Sequence, residues 1–531
     1  MPTITISKRD LEKLVGREIN DLEGLLGYLK AEVKGRKGDE VEVELKDTNR
    51  PDLFSLEGIA RGLRNLMGVR KRFVFGKEPV LEVRVKKVGV RPYIAAAVIK
   101  KVKLSDSSIR SLMRLQEVLD RTVGRNRERT SIGLYNYDLL TPPLRYELGD
   151  PNSSFVPLGS KKRMTLKEIL REHPKGVEYG HLIKGSYPIL RDKRKILSFP
   201  PIINSNDLGR ITTRTKNVLV EVTGTDLKWV ERVLKIVSLS VLEWGRELHP
   251  VRILYRGKER TTPDLSQEEV TLDLLELERL SGFEIRDVEK HLRRMGYEVT
   301  KKGGRFVRVR VPTYRTDVMH PVDVMEDVLI SYGYNRIEPE MPKLPTTGWK
   351  DGLTDKFREI GLGMGLEEVQ TFIMNSKSFL EDFEVLEVEN PMSSSKDCLR
   401  SWIYPCHLEF LSMNTHVPYP QKIFEVGEVV QGVKTRRHLC VTLAPSDFTE
   451  AKQMLNHVAD RLRFEYELVP EGFPWLVEGR CGKIVVGKKE IGVIGEVHPE
   501  KLNELGIFNP VSLFEIDIDS LKRFYERIRT V

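Results

Sequence analysis

The chain has 531 residues, of which 40% are hydrophobic and 31% are charged. This length exceeds what one hydrophobic core normally organises, so we expect three or four domains. The formal net charge of +9 suits a polyanionic partner such as nucleic acid, and equally a basic protein that is merely soluble.

Four cysteines, at positions 398, 406, 440 and 481, form no CxxC pair. Their spacing argues against a zinc knuckle or a disulfide framework and predicts small buried residues in a reducing compartment. The amino-terminal stretch lacks a signal-peptide core, and no apolar run approaches the roughly 18 residues that a membrane span needs. We therefore expect a cytoplasmic protein without a membrane partner.

Turn signals and composition predict four regions, at residues 1–88, 89–260, 261–342 and 343–531. The expected fold class is multidomain α+β. The first region is predicted to be an α/β module, the second a mixed α/β domain, and the third a small helix–strand module. The fourth mixes helices with strands separated by turns, which favours an antiparallel sheet with flanking helices.

In the first region, Ser55 is a predicted N-cap, and apolar residues then follow helical spacing until Gly68. The pattern predicts an amphipathic helix whose main role is packing. In the third region, a short helix is predicted between Asp287 and Gly296. The alternation in "RFVRVRVP" predicts a half-buried strand after it.

The third region ends in an acidic segment on this basic chain, "PTYRTDVMHPVDVMEDVLISYGY". A helix is predicted to begin at His320-Pro321. The segment carries four carboxylates, Asp317, Asp323, Glu326 and Asp327.

Three of these acids follow i, i+3, i+4 spacing and should share one helical face. The spacing leaves three interpretations open. The acids could be a solvated acidic first turn, a Mg²⁺ site built from oxygen ligands, or partners of Arg315 and Arg336 in salt bridges.

The acidic segment, continued to "NRI", resembles the phenylalanyl-tRNA synthetase beta subunit, whose members carry acids at this mutual spacing. "NRPDLFSLEGIARGL" resembles that family's amino-terminal segment. "ENPMSSSKDCLRSWIYP", "KIFEVGEVV" and "IGVIGEVHPEKL" resemble its catalytic-like module. The resemblance spans nearly the whole chain, and the domain order is similar to the archaeal and eukaryotic form.

The resemblance implies an editing domain in the second region, a winged-helix-like third region and a class II synthetase-like fourth region. It also implies that Asp317, Asp323, Glu326 and Asp327 bind Mg²⁺ near the boundary with an alpha subunit. The expected partners are that alpha subunit, in a heterotetramer of two alpha and two beta subunits, and tRNA(Phe). ATP and phenylalanine would bind on the alpha subunit.

Class II synthetases need an arginine on the ATP phosphates and a second arginine in a glycine-rich helix, because the guanidinium fork matches phosphate. Here Arg400 is followed by Ser401-Trp402 without the expected glutamate, and "GLGMGLEEV" lacks the second arginine. We therefore expect the fourth region to keep the synthetase fold without its ATP site.

A hydrophobic phenylalanine pocket rejects tyrosine only about 10²-fold, so a second site that hydrolyses Tyr-tRNA is expected. Such a site needs hydrogen-bonding groups for the phenol and the ester. Our candidate catalytic residues lie in "PPIINSN" and "EVTGTD" and are Asn204, Ser205, Glu221, Thr223, Thr225 and Asp226.

Glu221 stands where bacterial members of the family place a glutamate that reads the tyrosine hydroxyl. The alternative interpretation is two buried strands that end in ordinary polar turns. His173 and His181 are interpreted as structural.

The leading hypothesis is thus a beta subunit that supports phenylalanine attachment and edits Tyr-tRNA(Phe). A second hypothesis is a non-catalytic tRNA-binding or scaffold subunit with an inactive editing site. A third, a stand-alone Mg²⁺-dependent nuclease or phosphohydrolase, lacks a residue that would activate a nucleophile beside the four acids.

Overall fold

The computed structural model describes residues 2–47, 49–341, 348 and 352–522. The chain forms two compact units, Met1–Met341 and Pro342–Val531. Both contain helices and sheets, so the predicted α+β multidomain class is confirmed in this general form. The predicted subdivision of the first unit stays a prediction, and the 342/343 boundary lies outside the described residues.

Antiparallel and parallel strands alternate with helices through the first unit. Its strands are β1 Thr3–Ser7, β2 Ala31–Lys37, β3 Glu40–Leu45, β4 Val74–Phe75, β5 Leu81–Val85, β6 Tyr93–Lys100, β7 Thr130–Asn136, β8 Leu144–Leu148, β9 Ser154–Phe155, β10 Met164–Thr165, β11 Pro188–Arg191, β12 Ile196–Phe199, β13 Ile203–Asn204, β14 Asn217–Gly224, β15 Glu247–Tyr255, β16 Lys258–Thr262, β17 Glu269–Asp273, β18 Glu298–Gly303 and β19 Phe306–Arg310.

The helices of this unit are α1 Lys8–Val15, α2 Leu22–Gly27, α3 Leu56–Met67, α4 Asp106–Arg121, α5 Leu166–Glu172, α6 Pro174–Tyr179, α7 Leu227–Leu242, α8 Leu274–Ser281, α9 Val288–Arg294 and α10 Pro321–Tyr332. Its main sheet has the strand order β13-β12-β11-β8-β5-β15-β6-β14-β7, with β4 and β16 also paired to β15. Smaller sheets have the orders β1-β3-β2, β10-β9 and β17-β19-β18.

Strand β14 lies inside the main sheet and is antiparallel to β6 on one side and β7 on the other. Val218, Val220 and Val222 belong to the hydrophobic cluster that includes α7. Leu219 belongs to the cluster on the opposite face. Because both faces are covered, the strand is apolar along most of its length, and Glu221 is its one charged residue.

The local predictions for the first unit are confirmed. Helix α3 begins after Ser55, whose side chain accepts the Gly58 N–H, and ends at Gly68 in the left-handed conformation. Helix α9 follows Asp287, and β19 has Val307 and Val309 buried. Helix α10 begins at Pro321 with His320 as its N-cap.

The second unit has a sheet of order β20-β24-β25-β29-β28-β27-β26 and a smaller sheet of order β21-β23-β22. Its elements are β20 Glu367–Glu368, β21 Met374–Asn375, β22 Leu386–Glu387, β23 Cys398–Leu399, β24 Gln421–Gln431, β25 Lys434–Ala444, β26 Glu467–Pro470, β27 Leu476–Val486, β28 Lys489–Val497, β29 Ser512–Asp517, α11 Gly352–Gly363, α12 Tyr404–Met413, α13 Phe448–Leu462 and α14 Pro499–Glu504.

The larger sheet is antiparallel except at its edge, where the two-residue strand β20 runs parallel to β24. The expected antiparallel sheet with flanking helices is therefore present, with one parallel pair added. All four cysteines are buried and unpaired, as predicted. Within the described ranges, no helix is long and apolar enough to cross a membrane.

Candidate functional site

A cavity of about 250 Å³ lies in the first unit against β7 and β14. Its apolar lining comes from β7, from α4 and from the chain around Pro200–Ile203. Glu221 and Asn204 contribute polar groups. The volume is below the 300–1,000 Å³ usual for drug-sized ligands, which suits one side chain of a larger substrate.

The sheet leaves room for Glu221 because small residues flank it. Glu221 is paired with Ala96 on β6 and with Gly133 on β7. A Cβ atom at Gly133 would lie 2.6 Å from Glu221 Oε2 and 2.2 Å from the Tyr135 hydroxyl. The space around the carboxylate therefore depends on Gly133 having no side chain.

The carboxylate of Glu221 is half satisfied. Its Oε2 accepts a hydrogen bond from the Tyr135 hydroxyl at 2.8 Å, and Ser198 Oγ lies 2.9 Å from the same hydroxyl. Since Tyr135 has one hydroxyl proton, it donates to the carboxylate and accepts from Ser198. Within the described residues Oε1 is buried and accepts no hydrogen bond of normal geometry, although the Thr223 side chain is close enough to lower the pKa of the carboxyl.

Burial raises the pKa of Glu221 to about 7, although Tyr135, Arg91 and Thr223 act in the opposite direction. The side chain is 3% exposed. A buried acceptor without a partner costs about 1–3 kcal/mol. Such a group beside a cavity marks a functional site more often than a packing position.

Asn204 also lines the cavity, and its Oδ1 lies 3.4 Å from the Tyr135 hydroxyl. Ser205, the next residue, does not line it. Ser205 is buried, and its Oγ accepts the backbone N–H of Leu208 at 3.2 Å. Ser205 thus stabilises the turn that follows β13.

The other three candidates lie at or beyond the end of β14 and do not line the cavity. Thr223 is buried and accepts a hydrogen bond from Arg91 Nε at 3.0 Å. Thr225 is exposed, and its hydroxyl donates to the Glu128 carbonyl. Asp226 caps α7 by accepting the N–H of Trp229 at 3.3 Å. Their positions fit the structural interpretation of this turn.

Sequence reasoning missed His173 as a cavity residue. His173 lines the cavity, and its Nδ1 accepts the Lys175 N–H at 3.2 Å, which caps α6. Burial, and then Lys175, lower the pKa of His173. The neutral ring therefore carries its proton on Nε2, which can donate a hydrogen bond. His181 is exposed and does not line the cavity.

Arg127, which also lines the cavity, fixes one of its walls. Its Nη1 donates to the carbonyls of Pro201 and Ile202 at 3.0 and 2.9 Å. Its Nε lies 3.1 Å from Asp120, whose pKa burial raises to about 7. These partners lie far away in sequence, so neither spacing nor turn chemistry predicts the contact.

The carboxylates of α10 turn to different partners. Asp323 accepts the backbone N–H groups of Met319 and His320 at 2.8 and 2.7 Å and so caps its own helix. Glu326 is exposed and lies 2.9 Å from Lys30 Nζ.

Asp317 and Asp327 are both held by Arg315. Two guanidinium nitrogens donate to Asp317 at 2.9 and 2.7 Å, and Nη1 lies 2.7 Å from Asp327. The Tyr297 hydroxyl donates to Asp327 at 2.5 Å. The expected salt bridges with Arg315 are thus present.

Among the residues with assigned positions, no group of three or more Asp, Glu, His or Cys side chains could hold a metal ion. As placed, the four acids contact donors within the chain, because the nearest donor decides where each carboxylate turns. The Mg²⁺ site that the resemblance implies stays a prediction.

The second unit has an open cleft of about 830 Å³ beside β24, lined in part by Arg400, Glu425 and Thr371. Arg400 is 2% exposed. Its guanidinium donates to Glu425 Oε1 and Thr371 Oγ1 at 2.6 Å each, and to the Glu428 carbonyl at 3.0 Å.

Burial opposes ionisation of Glu425, but hydrogen bonds from His407 and Arg400 lower its pKa to about 2. At neutral pH the pair is therefore ionised. Arg400 cannot bind a phosphate without giving up these partners.

Two family models match the chain. The model of the phenylalanyl tRNA synthetase beta chain CLM domain matches residues 337–518, and the tRNA synthetase B5 domain model matches residues 270–334. The second match covers the β17-β19-β18 sheet and the helices beside it, through α10.

The phenylalanine–tRNA ligase beta subunit of Thermococcus kodakarensis is 40% identical, with 97% of this chain and 98% of the relative aligned. That of Pyrococcus furiosus is 40% identical, with 98% and 100% aligned. A crystal structure of an amino-terminal fragment of the Pyrococcus horikoshii beta subunit is 38% identical, with a TM-score of 0.60. It covers 63% of this chain and 100% of the fragment.

Proposed function

Because the chain belongs to the family of phenylalanine–tRNA ligase beta subunits, we propose that it both supports aminoacylation and edits its errors. An alpha subunit would attach phenylalanine to tRNA(Phe) with ATP, and the two chains would assemble as two alpha and two beta subunits. The cavity around Glu221 would hydrolyse Tyr-tRNA(Phe). The family in general uses Mg²⁺, and the four acids Asp317, Asp323, Glu326 and Asp327 are where it would bind on this chain.

The buried free oxygen of Glu221 carries the editing proposal. The phenol of a tyrosyl group in the cavity would donate its hydrogen bond to Oε1 and satisfy this acceptor. A phenylalanyl group has no such donor and would leave the carboxylate unpaired. Sites that lose a hydrogen bond in this way reject the analogue strongly, because a buried polar group is left unsatisfied.

Hydrolysis requires water to attack the ester carbonyl carbon, the acyl C–O bond to break and the ribose hydroxyl to leave with a proton. Asn204 and the Nε2–H of His173 are the donors that would orient the ester and stabilise negative charge on its carbonyl oxygen. Arg127 would hold the opposite wall in place through Pro201 and Ile202.

The test is hydrolysis of Tyr-tRNA(Phe) by this chain assembled with its alpha subunit. We expect Glu221→Ala to slow hydrolysis about 10²-fold, the scale of a lost specificity hydrogen bond, without changing phenylalanine attachment. Glu221→Gln keeps the shape and should lose less. The matched control is Thr225→Ala, a polar residue of the same turn region outside the cavity, which should behave as wild type.

An equal loss of hydrolysis and aminoacylation in Glu221→Ala would mean that Glu221 serves folding alone. Absence of hydrolysis in the wild-type assembly would favour the scaffold hypothesis, in which the cavity has no editing activity.

A further inference from the structure

A second cavity of the first unit, of about 560 Å³, shares no lining residue with the editing cavity. It lies along the carboxyl-terminal half of α3 and the chain that follows. We call it the basic groove, and its defining residues are Arg61, Arg64, Arg70, Lys71, Arg72 and Tyr314. A wider depression of about 950 Å³ continues from it and shares Arg64 and Arg70.

Three cations of the basic groove surround one carboxylate, Glu243. Arg64 Nη2 lies 2.6 Å from Glu243 Oε1, Lys71 Nζ lies 3.2 Å from Oε2, and Arg61 Nε lies 3.6 Å from Oε1. Arg64 also donates to the Leu14 carbonyl, and Lys71 to the Glu243 carbonyl. Positive charge therefore exceeds negative charge at the floor of the groove.

Arg61 is the cation that this cluster leaves unsatisfied. It is 9% exposed, and its guanidinium carbon lies 4.6 Å from the centre of the Tyr314 ring. In the part of the chain that the structure describes, its Nε, Nη1 and Nη2 are all buried and make no hydrogen bond. Unsatisfied buried donors are costly, and a guanidinium fork matches the oxygens of a phosphate.

The rim of the groove adds features that suit a nucleotide chain. The run "RKRFVF" at residues 70–75 combines exposed Arg70 and Arg72 with Phe75, whose surface is 50% exposed. Cations along a groove neutralise successive phosphates, and exposed aromatic rings stack on bases. A free anion would need the floor of the groove, whereas a nucleotide chain would also use this rim.

We propose that the basic groove binds the sugar–phosphate backbone of RNA, with one phosphate group held by Arg61 and its neighbours by Arg70 and Arg72. This inference rests on the proposed function in that RNA is the substrate class. It assigns the contact to a surface outside the editing cavity.

The first experiment measures tRNA binding by the chain assembled with its alpha subunit, as a function of salt. Arg70→Ala/Arg72→Ala should raise Kd about tenfold and reduce the slope of log Kd against log salt by about 2, one for each phosphate contact. The matched control is Arg256→Ala/Lys258→Ala, which removes the same charge from the exposed β15–β16 turn. Wild-type binding by the groove variant, or an equal loss in the control, would overturn the proposal.

The second experiment tests Arg61 itself. Arg61→Lys keeps the charge but loses the planar fork, so we expect weaker tRNA binding at unchanged thermal stability. Inorganic phosphate is the small-ligand probe. If phosphate raises the Tm of the wild type but Arg70→Ala/Arg72→Ala binds tRNA normally, the groove is a free-anion site and the RNA assignment is wrong.

Failure of this inference and failure of the editing proposal are distinguishable. At saturating tRNA, Arg70→Ala/Arg72→Ala should hydrolyse Tyr-tRNA at the wild-type rate, because it leaves Glu221 in place. Glu221→Ala should bind tRNA with wild-type affinity and salt slope. A groove variant with normal affinity but slow hydrolysis would contradict the assignment of the groove to binding.

Discussion

The cavity of the first unit and the cleft of the second are each lined by a buried ionisable group, Glu221 and Arg400 respectively. The two groups differ in how many of their polar atoms are bonded within the chain. Glu221 has one oxygen bonded to Tyr135, and among the described residues its other oxygen accepts no hydrogen bond of normal geometry. Arg400 has its guanidinium occupied by Glu425, Thr371 and Glu428. One group is available to a ligand, and the other is already neutralised within the chain.

If the cavity edits Tyr-tRNA, this difference would explain how the cleft can serve stability alone while the cavity serves a reaction. The structure is stabilised by the Arg400–Glu425 pair whether or not a nucleotide is present. In the editing proposal, the phenol of the substrate would bond the second oxygen of Glu221. Cavity volume alone would suggest the opposite conclusion, because the cleft is the larger of the two.

The largest expected effect concerns the cleft. Glu425→Ala leaves Arg400 buried without its carboxylate, which costs about 3–5 kcal/mol in comparable pairs. We expect a marked fall in the Tm of this chain. Phenylalanine-dependent ATP–pyrophosphate exchange, measured below that Tm with the alpha subunit present, should be unchanged per folded complex.

ATP–pyrophosphate exchange by the isolated wild-type chain would contradict the view that Arg400 is not available to ATP. The matched control is Lys377→Ala, which breaks an exposed ion pair of the same unit with Glu387. It should leave both the Tm and the exchange rate almost unchanged.

The next effect concerns the ionisation of Glu221. With a pKa of about 7, the carboxyl is mostly protonated below pH 7 and mostly ionised above it. A charged acceptor bonds a phenol more strongly than a neutral one, so the preference for Tyr-tRNA over Phe-tRNA hydrolysis should rise about five- to tenfold from pH 6 to pH 8. Glu221→Gln should abolish this rise, and a rise retained in that variant would assign it to another group.

The raised pKa of Glu221 also predicts how the stability of the chain changes with pH. This pKa is raised above the usual 4.5, so the folded chain holds a proton that the unfolded chain has lost. Glu221 should therefore make the folded state less stable as pH increases from about 4.5 to 7, and the loss should level off above that range. The free energy of unfolding of the wild type against Glu221→Gln measures this difference.

A smaller effect is expected at Asp226, in the turn beside the cavity. Asp226→Ala removes the N-cap of α7 and should cost about 1 kcal/mol of stability. Hydrolysis of Tyr-tRNA per folded molecule should remain normal. Asp226→Asn, which can still cap the helix, serves as the control. Slow hydrolysis by Asp226→Ala at unchanged stability would indicate that Asp226 belongs to the active site.

The smallest effect is expected at the acidic segment. Glu326 is exposed and paired with Lys30, so Glu326→Gln should change stability by about 1 kcal/mol or less. Since each of the four acids already has a partner within the chain, Mg²⁺ should not raise the Tm of the isolated chain. A Tm that rises with Mg²⁺ in the wild type but not in Glu326→Gln would support the metal site.

Local patterns predicted the elements that local interactions decide. The N-cap Ser55, the terminator Gly68 and the start of α10 at Pro321 could be identified because their partners lie within four residues. The alternation around Val307 and Val309 likewise predicted β19. In each case the physical cause lies within a few residues of the position concerned.

Long-range contacts decided what the sequence could not predict. Lys30 is 296 residues from Glu326, and Tyr297 is 30 residues from Asp327, so the spacing of the acids carries no information about these partners. Similarly, the polar residues after Glu221 suit both a turn and an active site. The position of the cavity separates them: Glu221 lines it, whereas Thr223 is bonded to Arg91, and Thr225 and Asp226 lie beyond β14.

If the cavity edits Tyr-tRNA, the accuracy of translation would depend on Gly133 having a hydrogen atom in place of a side chain. Its missing methyl group leaves the space into which the Glu221 carboxylate and the Tyr135 hydroxyl fit. A codon change that adds this methyl group would keep every polar residue of the cavity and still displace its acceptor. If the cavity edits Tyr-tRNA, cells with such a change would assemble a complete ligase and read phenylalanine codons with tyrosine errors, a lesion that a survey of polar site residues would overlook.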